Sequence, residues 1–312
     1  LKKIAFLFPG QGSQKVGMGQ DLAQKFDAAK AIFAAADQVS GLPISSLCFE
    51  GPMAELTQTV NLQPAVTAVN LALLAAVQDQ GVRPQVCAGH SLGEYSALSA
   101  AGIVSTDDCL KLVFKRGELM HREATRQRGA MSAIVGLNID KVRKIVEEAA
   151  QTGIVAVANH NSAEQIVITG APEAVAKAGE LASAQGAKAI ALKVSGAWHS
   201  PLIAGAEADF MAFLDGIAFH APQVPIVHNV TAETESDPGR IRALMARQLC
   251  SPVRWYDTIT QMVADQVDVF VEIGPGRVLA GLLKKILPKD AAVKTYNVFD
   301  LKTMDAFIQA EG

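Results

Sequence analysis

The residues best placed to do chemistry are Gly89-His90-Ser91-Leu92-Gly93. They follow a short apolar run, Val86-Cys87-Ala88, and open a helix-like stretch from Glu94 to Ala101. A strand that turns sharply into a helix holds its central serine on a strained corner, side chain exposed and main-chain N–H groups alongside. This is the nucleophile elbow, and its flanking glycines let neighbouring backbone pass close to the corner. The Gly-x-Ser-x-Gly pattern alone recurs by chance; its place between strand and helix favours a nucleophile over a Gly/Ser-rich turn.

A serine hydroxyl needs a positioned base to take its proton, an effect worth ~10² to 10⁴ in rate. Six histidines are available. On the corner, the His90 side chain should point away from Ser91. His121 and His160 sit beside predicted helix and loop ends, and His220 and His228 flank a strand. His199 lies in Ser195-Gly196-Ala197-Trp198-His199-Ser200-Pro201, where position alone offers either a base at a cleft or a helix cap. An α/β-hydrolase would place an acid between serine and histidine in the chain. The acids there lie mostly on predicted helices, and Asp107 and Asp108 mark a helix start, where carboxylates cap. A Ser–His dyad, its imidazole oriented by a main-chain carbonyl or an amide, fits better.

The elements that must position these groups alternate. An apolar strand from Lys3 to Pro9 runs into the loop Gly10-Gln11-Gly12-Ser13-Gln14, which lacks the third glycine of a dinucleotide fingerprint because Lys15 stands there. Helical patterns follow at 19–39, 64–80 and 107–122, which argues a parallel sheet covered by helices on both faces. From about Ala130 the rhythm becomes strand 131–135, helix 139–150, strands 154–158 and 165–169, helix 172–184, and strand 187–194. That β-α-β-β-α-β order is ferredoxin-like. Strand and helix signals resume at 224–228, 241–249, 267–272 and 276–286. The expected fold is therefore α/β: a large hydrolase-like parallel-sheet domain, residues 1–126 and 197–312, interrupted by a ferredoxin-like α+β subdomain at 127–196. A cleft between two such units is a favoured ligand site.

Composition narrows the function classes. Half of the 312 residues are hydrophobic and 19% are charged, which alanine-rich helices between Val/Ile-rich strands explain. The apolar run at Leu71 to Val77 is far short of the ~20 residues of a spanning helix. Lys2-Lys3 with the short run to Phe8 is too brief for a signal peptide. The reading is a soluble, cytoplasmic chain with no membrane segment. A net charge of −3 gives no electrostatic reason to expect nucleic acid. Cys48, Cys87, Cys109 and Cys250 have no metal-site spacing and read as reduced core residues, so no metal centre is expected.

With these pieces assembled, the chain resembles the malonyl-CoA:acyl-carrier-protein transacylases of type II fatty-acid synthesis and the related acyltransferases of polyketide synthases. The resemblance runs in order along nearly the whole length. It covers Phe8 to Gln14, Gly89 to Glu94, Arg116-Gly117, Gly129 to Met131, Ala158 to Ser162, Val194 to Pro201, Gln248-Leu249, Pro252 to Trp255, and Glu272 to Gly276. It implies that Ser91 is acylated, with His199 as base and then as acid for the leaving thiol. The N–H groups of Leu92 and Gln11 would form an oxyanion hole. Arg116, which with Lys115 and Glu118 nearby on its helix otherwise reads as a solvated surface arginine, would pair with the malonyl carboxylate. Gln248 would support His199 through its carbonyl. Asn159 and Asn161 would either organise a turn or face the pantetheine arm.

The family usually has Phe where this chain has Trp198. The larger ring would narrow the acyl pocket against a methyl branch, or point outward against the insert. The resemblance implies malonyl-CoA and acyl carrier protein as partners and no cofactor, the CoA thioester being a substrate; a monomer is expected. Lys115, Arg122, Arg126 and Arg128 are candidates for the carrier-docking patch. Rival readings are a serine thioesterase or esterase, a discrete polyketide or malonate-decarboxylase acyltransferase, and a non-catalytic docking module.

Overall fold

Ile4–Phe8 is a run of five apolar residues, all buried, which a strand can use only when both faces of its sheet are covered. The computed structural model describes residues 2–288 and 290–312. Its first portion holds β1 (Ile4–Phe8), α1 (Gln20–Lys25), α2 (Asp27–Ser40), α3 (Ile44–Phe49), α4 (Met53–Leu56), α5 (Thr59–Asp79), β2 (Val86–Gly89), α6 (Gly93–Ala100) and α7 (Thr106–Arg126). A second unit follows: β3 (Ala130–Val135), α8 (Ile139–Ala149), β4 (Val155–Ser162), β5 (Gln165–Gly170), α9 (Pro172–Ala184) and β6 (Lys188–Ala191). The chain returns through α10 (Ala204–Leu214), β7 (Ile226–Val227), α11 (Pro238–Arg247), α12 (Trp255–Ala264), β8 (Val269–Ile273), α13 (Val278–Ile286), β9 (Lys294–Val298) and α14 (Leu301–Glu311).

The large sheet has the order β7-β2-β1-β8-β9, every pairing parallel. Alternation along β1 divides its core: Ile4, Phe6 and Phe8 join one apolar cluster, Ala5 and Leu7 the other. The small sheet, β4-β5-β3-β6, is antiparallel. One of its faces is covered by α8 and α9 through Ile134, Ile166 and Ile168. The other turns Met131, Ala133 and Val167 toward Met120 of α7 and toward Trp198. The entering and leaving chains touch, since a Cβ on Gly129 would lie 2.4 Å from the Ala197 nitrogen.

Several elements differ from the sequence reading. Strand β4 continues to Ser162, so Asn159 and Asn161 lie on a strand and not in a turn. Its extension is held by main-chain bonds to Val253, which donates to Ala158 O (2.8 Å) and accepts from His160 N (2.9 Å). That partner lies far along the chain and leaves no local signal. Helix α5 begins at Thr59, before Pro64; proline there forfeits the N–H bond to Val60, and burial of the first turns offsets the loss. This 21-residue helix is long and apolar enough to cross a membrane, yet 89% of its apolar window is buried inside the fold. The expected helix at 19–39 breaks at Phe26, which is extended. The 241–249 helix starts at Pro238 and tightens into a 3₁₀ turn at Gln248–Cys250. The reading passed over α3, α4, α10, α12, β9 and α14. All four cysteines are free thiols.

Candidate active site

Ser91 sits at the C-terminal end of β2 with φ 52°, a left-handed conformation that costs a non-glycine residue of order 1–3 kcal/mol and persists only when the surroundings impose it. The glycines around it do so by contact. A Cβ on Gly89 would lie 2.0 Å from the Gly93 carbonyl, and one on Gly93 would lie 2.0 Å from Phe8 O. Neither approach tolerates a side chain, so β1, β2 and α6 lock the corner together.

His199 also has positive φ, 59°, and is 3% exposed. Its Nε2 is 2.7 Å from Ser91 Oγ. Its Nδ1 faces two main-chain carbonyls, Gln248 O at 2.9 Å and Ser251 O at 3.1 Å. Carbonyls only accept, so Nδ1 carries the proton and Nε2 presents a lone pair to the serine hydroxyl. Burial, and then the Arg116 charge, push the imidazole pKa down to about 3. The ring is therefore neutral near pH 7, as a general base must be. Gly10 packs against Leu92 N, which brings the Gln11 and Leu92 main chains together. Among the described residues neither N–H has an acceptor, and both residues line the cavity beside Ser91.

Arg116, from the middle of α7, is 1% exposed. It donates through Nη1 to Gln63 Oε1 (3.1 Å) and through Nη2 to Ser91 Oγ (3.2 Å) and Gln248 Oε1 (3.3 Å). Its guanidinium lies 5.4 Å from the Tyr95 ring centroid, and its Nε–H is buried without a partner among the described residues. Among the described residues no carboxylate lies within ion-pair distance of it. Burial lowers its pKa. A buried cation with a free donor and no counter-ion is costly by itself and suits an anionic ligand.

A cavity of about 130 Å³ collects Gln11, His90, Ser91, Leu92, Arg116, Met120, Met131, Asn159, Leu192, Val194, Trp198 and His199. Trp198 thus points inward. It lines the cavity and packs on Met131, Ala133 and Val167 of the small sheet, with its Nε1–H buried and unpartnered among the described residues. The ring thus meets both the cavity and the insert. Asn161 does not line the cavity: its Oδ1 is 2.8 Å from His90 Nε2, joining the elbow to the small sheet. The Gln248 side chain does not reach the cavity either; it bonds Ser91 O, Glu94 and Arg116.

Three residues beneath the site carried no role in the sequence reading. Asn229 accepts from Ser91 N (2.8 Å) and donates to Gly89 O (2.7 Å), clamping the elbow. Glu94, 1% exposed, accepts from His228 Nδ1 (2.9 Å), Asn229 N (3.2 Å) and Gln248 Nε2 (2.6 Å). Gln63 is an amide buried in an apolar helix. Available signals were the position of Asn229 just past a parallel strand and a polar residue inside the apolar run of α5. The suggested docking cations prove occupied by their own acids: Lys115 with Glu118, Arg122 with Glu123 and Asp209, and Arg126 with Glu123; Arg128 is exposed.

A serine on a strained corner at the C-terminal edge of a parallel sheet, facing a neutral histidine, is the geometry of a serine-nucleophile α/β enzyme. Residues 5–304 match the family model described as the acyl transferase domain, and the chain belongs to that family; it is an acyltransferase. It is 42% identical to the malonyl CoA-acyl carrier protein transacylase of Bacillus subtilis, over 99% of this chain and 97% of that protein. The Escherichia coli K12 protein of the same name is also 42% identical, over 92% of this chain and 94% of that protein. Among solved structures, an acyl carrier protein S-malonyltransferase from Vibrio cholerae superposes with a TM-score of 0.93 at 41% identity, covering 98% of this chain and 100% of that one. A malonyl-transacylase solved in complex with its type II polyketide acyl-carrier protein gives 0.94 at 39% identity, covering 99% and 100%.

Proposed function

We propose that the chain transfers a malonyl group from malonyl-CoA to the phosphopantetheine thiol of acyl carrier protein, supplying fatty-acid synthesis in the cytoplasm as a monomer without a cofactor. The observation that carries this reading is Arg116: a buried guanidinium, beside the Ser–His pair, with an unpaired donor and no carboxylate partner among the described residues. A malonyl carboxylate supplies both the charge and the acceptor, in a bidentate fork. An acetyl group leaves the cation unpaired.

In the first half-reaction Ser91 Oγ attacks the thioester carbon as His199 Nε2 takes its proton. The tetrahedral oxyanion lies against the N–H groups of Leu92 and Gln11, donors of a kind worth roughly 10² to 10³ each in turnover. Collapse expels CoA as its thiol, the proton coming from His199, and leaves a malonyl-Ser91 ester. The carrier thiol then gives its proton to His199 and attacks the ester; collapse expels Ser91 Oγ, which takes that proton back from His199, and the malonyl thioester departs. The Gln248 and Ser251 carbonyls hold the imidazolium formed in each half, which places main-chain acceptors where a triad would have a carboxylate.

Asn159 lines the cavity, where its amide would meet the pantetheine arm. The Trp198 ring occupies space a methyl branch would need, and one methyl typically decides ~1–3 kcal/mol. Malonyl-CoA should therefore outcompete methylmalonyl-CoA; faster methylmalonyl transfer would refute this role. The main test is intact-protein mass spectrometry after brief incubation with malonyl-CoA, with Ser91→Ala as control. The expected result is a malonyl adduct on Ser91, discharged quickly by holo carrier protein and slowly by water. Release of CoA with no adduct, or rapid discharge by water, would indicate a thioesterase.

A further inference from the structure

Among the described residues, every acceptor on Arg116 is neutral. Gln63 Oε1 accepts from Nη1 at 3.1 Å, while Ser91 Oγ and Gln248 Oε1 accept from Nη2 at 3.2 and 3.3 Å. Glu94 reaches the guanidinium only through an amide: Gln248 puts its Nε2 on that carboxylate (2.6 Å) and its Oε1 on Arg116. Gln63 has no such second duty. It is buried on α5, in an otherwise largely apolar stretch of helix, and is not among the residues that line the cavity.

The direction of the Gln63 amide is fixed. Its Nε2 lies 3.2 Å from Met120 Sδ. A thioether sulfur only accepts and a guanidinium only donates, so the NH₂ end faces Met120 and the carbonyl end faces Arg116. The helices come close enough for this at Gly117, the residue after Arg116. A Cβ there would lie 3.1 Å from Thr59 O and 3.6 Å from Gln63 Cβ, so the missing side chain lets α7 lie against the first turns of α5.

We propose that Gln63 is a positioning residue that sets acyl selectivity: its amide holds the Arg116 guanidinium in place without neutralising it, so that the counter-ion is the carboxylate of the bound acyl group. The inference rests on the reading of Arg116 as the malonyl clamp. A glutamate has the same length and would accept the same Nη1 hydrogen bond, but as an anion it would form a buried ion pair with Arg116. A malonyl carboxylate would then meet a compensated cation and a like charge. An acetyl group would enter a site with no charge left unpaired. Amide against carboxylate at this one position therefore decides which acyl ester is loaded.

The test is Gln63→Glu, with Gln63→Met, which keeps the length of the side chain and removes the acceptor, as a second variant should a buried carboxylate impair folding. Loading of Ser91 by malonyl-CoA and by acetyl-CoA is followed in each by the mass of the acyl-enzyme. In Gln63→Glu malonyl loading should fall by roughly 10² or more while acetyl loading rises. In Gln63→Met the guanidinium keeps its charge and loses one charge-assisted hydrogen bond, so KM for malonyl-CoA should rise about tenfold with malonyl still preferred. Equal losses for the two esters in Gln63→Glu, or a malonyl preference that survives there, would overturn the role. An unchanged malonyl KM in Gln63→Met would do the same. A wild-type enzyme that loads acetyl as fast as malonyl would overturn the reading of Arg116 beneath it as well.

Discussion

The corner at Gly89–Glu94 and the turn at Gln248–Ser251 each hold one partner of the Ser91–His199 pair, by different means. The corner is held by exclusion: Gly89, Gly93 and Phe8 approach so closely that no side chain fits between them. The turn is held by direction: two carbonyls point at His199 Nδ1 because the end of α11 tightens there and the Gln248 amide is tied to Ser91 O and Glu94. Steric exclusion demands glycine and leaves a mark in the sequence. A carbonyl belongs to every residue, so its aim leaves none. Glu94 joins the two regions, standing in the first turn of α6 and fixing the amide of Gln248.

The largest expected effect separates charge from shape. Arg116→Ala should lower malonyl transfer by a factor on the order of 10² or more, since a buried ion-pair partner is worth roughly 3–5 kcal/mol, while acetyl transfer persists or rises. Equal losses in paired assays with the two CoA esters would remove the clamp role. Next comes exclusion itself. Gly93→Ala should destabilise the protein by about 3 kcal/mol or more, because the added carbon meets main chain that cannot rotate away. Urea unfolding reads this directly, and a loss below 1 kcal/mol would show the corner to be less tightly closed.

Glu94→Gln addresses the link. Without the carboxylate, only Ser91 O is left to hold the Gln248 amide with its Oε1 toward Arg116, and loss of a charged hydrogen bond is worth ~1.5–3 kcal/mol. Malonyl transfer should fall about tenfold and acetyl transfer by less; a uniform fall would make Glu94 merely structural. The smallest effect is in the pH profile. The ordinary histidine pKa is about 6.5, and His199 is held well below it, at about 3. The kcat/KM of malonyl transfer should therefore show no acid limb from this group near pH 6.5. In Arg116→Ala a cause of the depression is gone, so any limb should move up. Stability follows with a definite sign: the unfolded histidine takes up a proton that the folded one refuses. This contribution is complete above about pH 6.5 and is lost as pH falls toward 3.

Legibility followed the same division. The elbow, the parallel sheet and the β-α-β-β-α-β insert were readable because apolar periodicity and glycine position are local properties. Helix α9 was placed at its observed bounds, Pro172–Ala184, for that reason. The continuation of β4 was not readable, because it depends on Val253. Helices α10 and α12 were passed over even though each presents a buried stripe, Ala206, Phe210 and Leu214 in one and Trp255, Ile259 and Met262 in the other.

By itself the sequence determined where backbone must come close and which segments must be buried, since a missing Cβ and an apolar period act on immediate neighbours. Only the tertiary structure decided which proton His199 carries, what Arg116 lacks, and which cations are already neutralised. Those properties belong to pairs of groups far apart in the chain, such as His199 with Ser251 or Arg122 with Asp209, and hydrogen-bond direction and charge compensation exist only once both partners are in place.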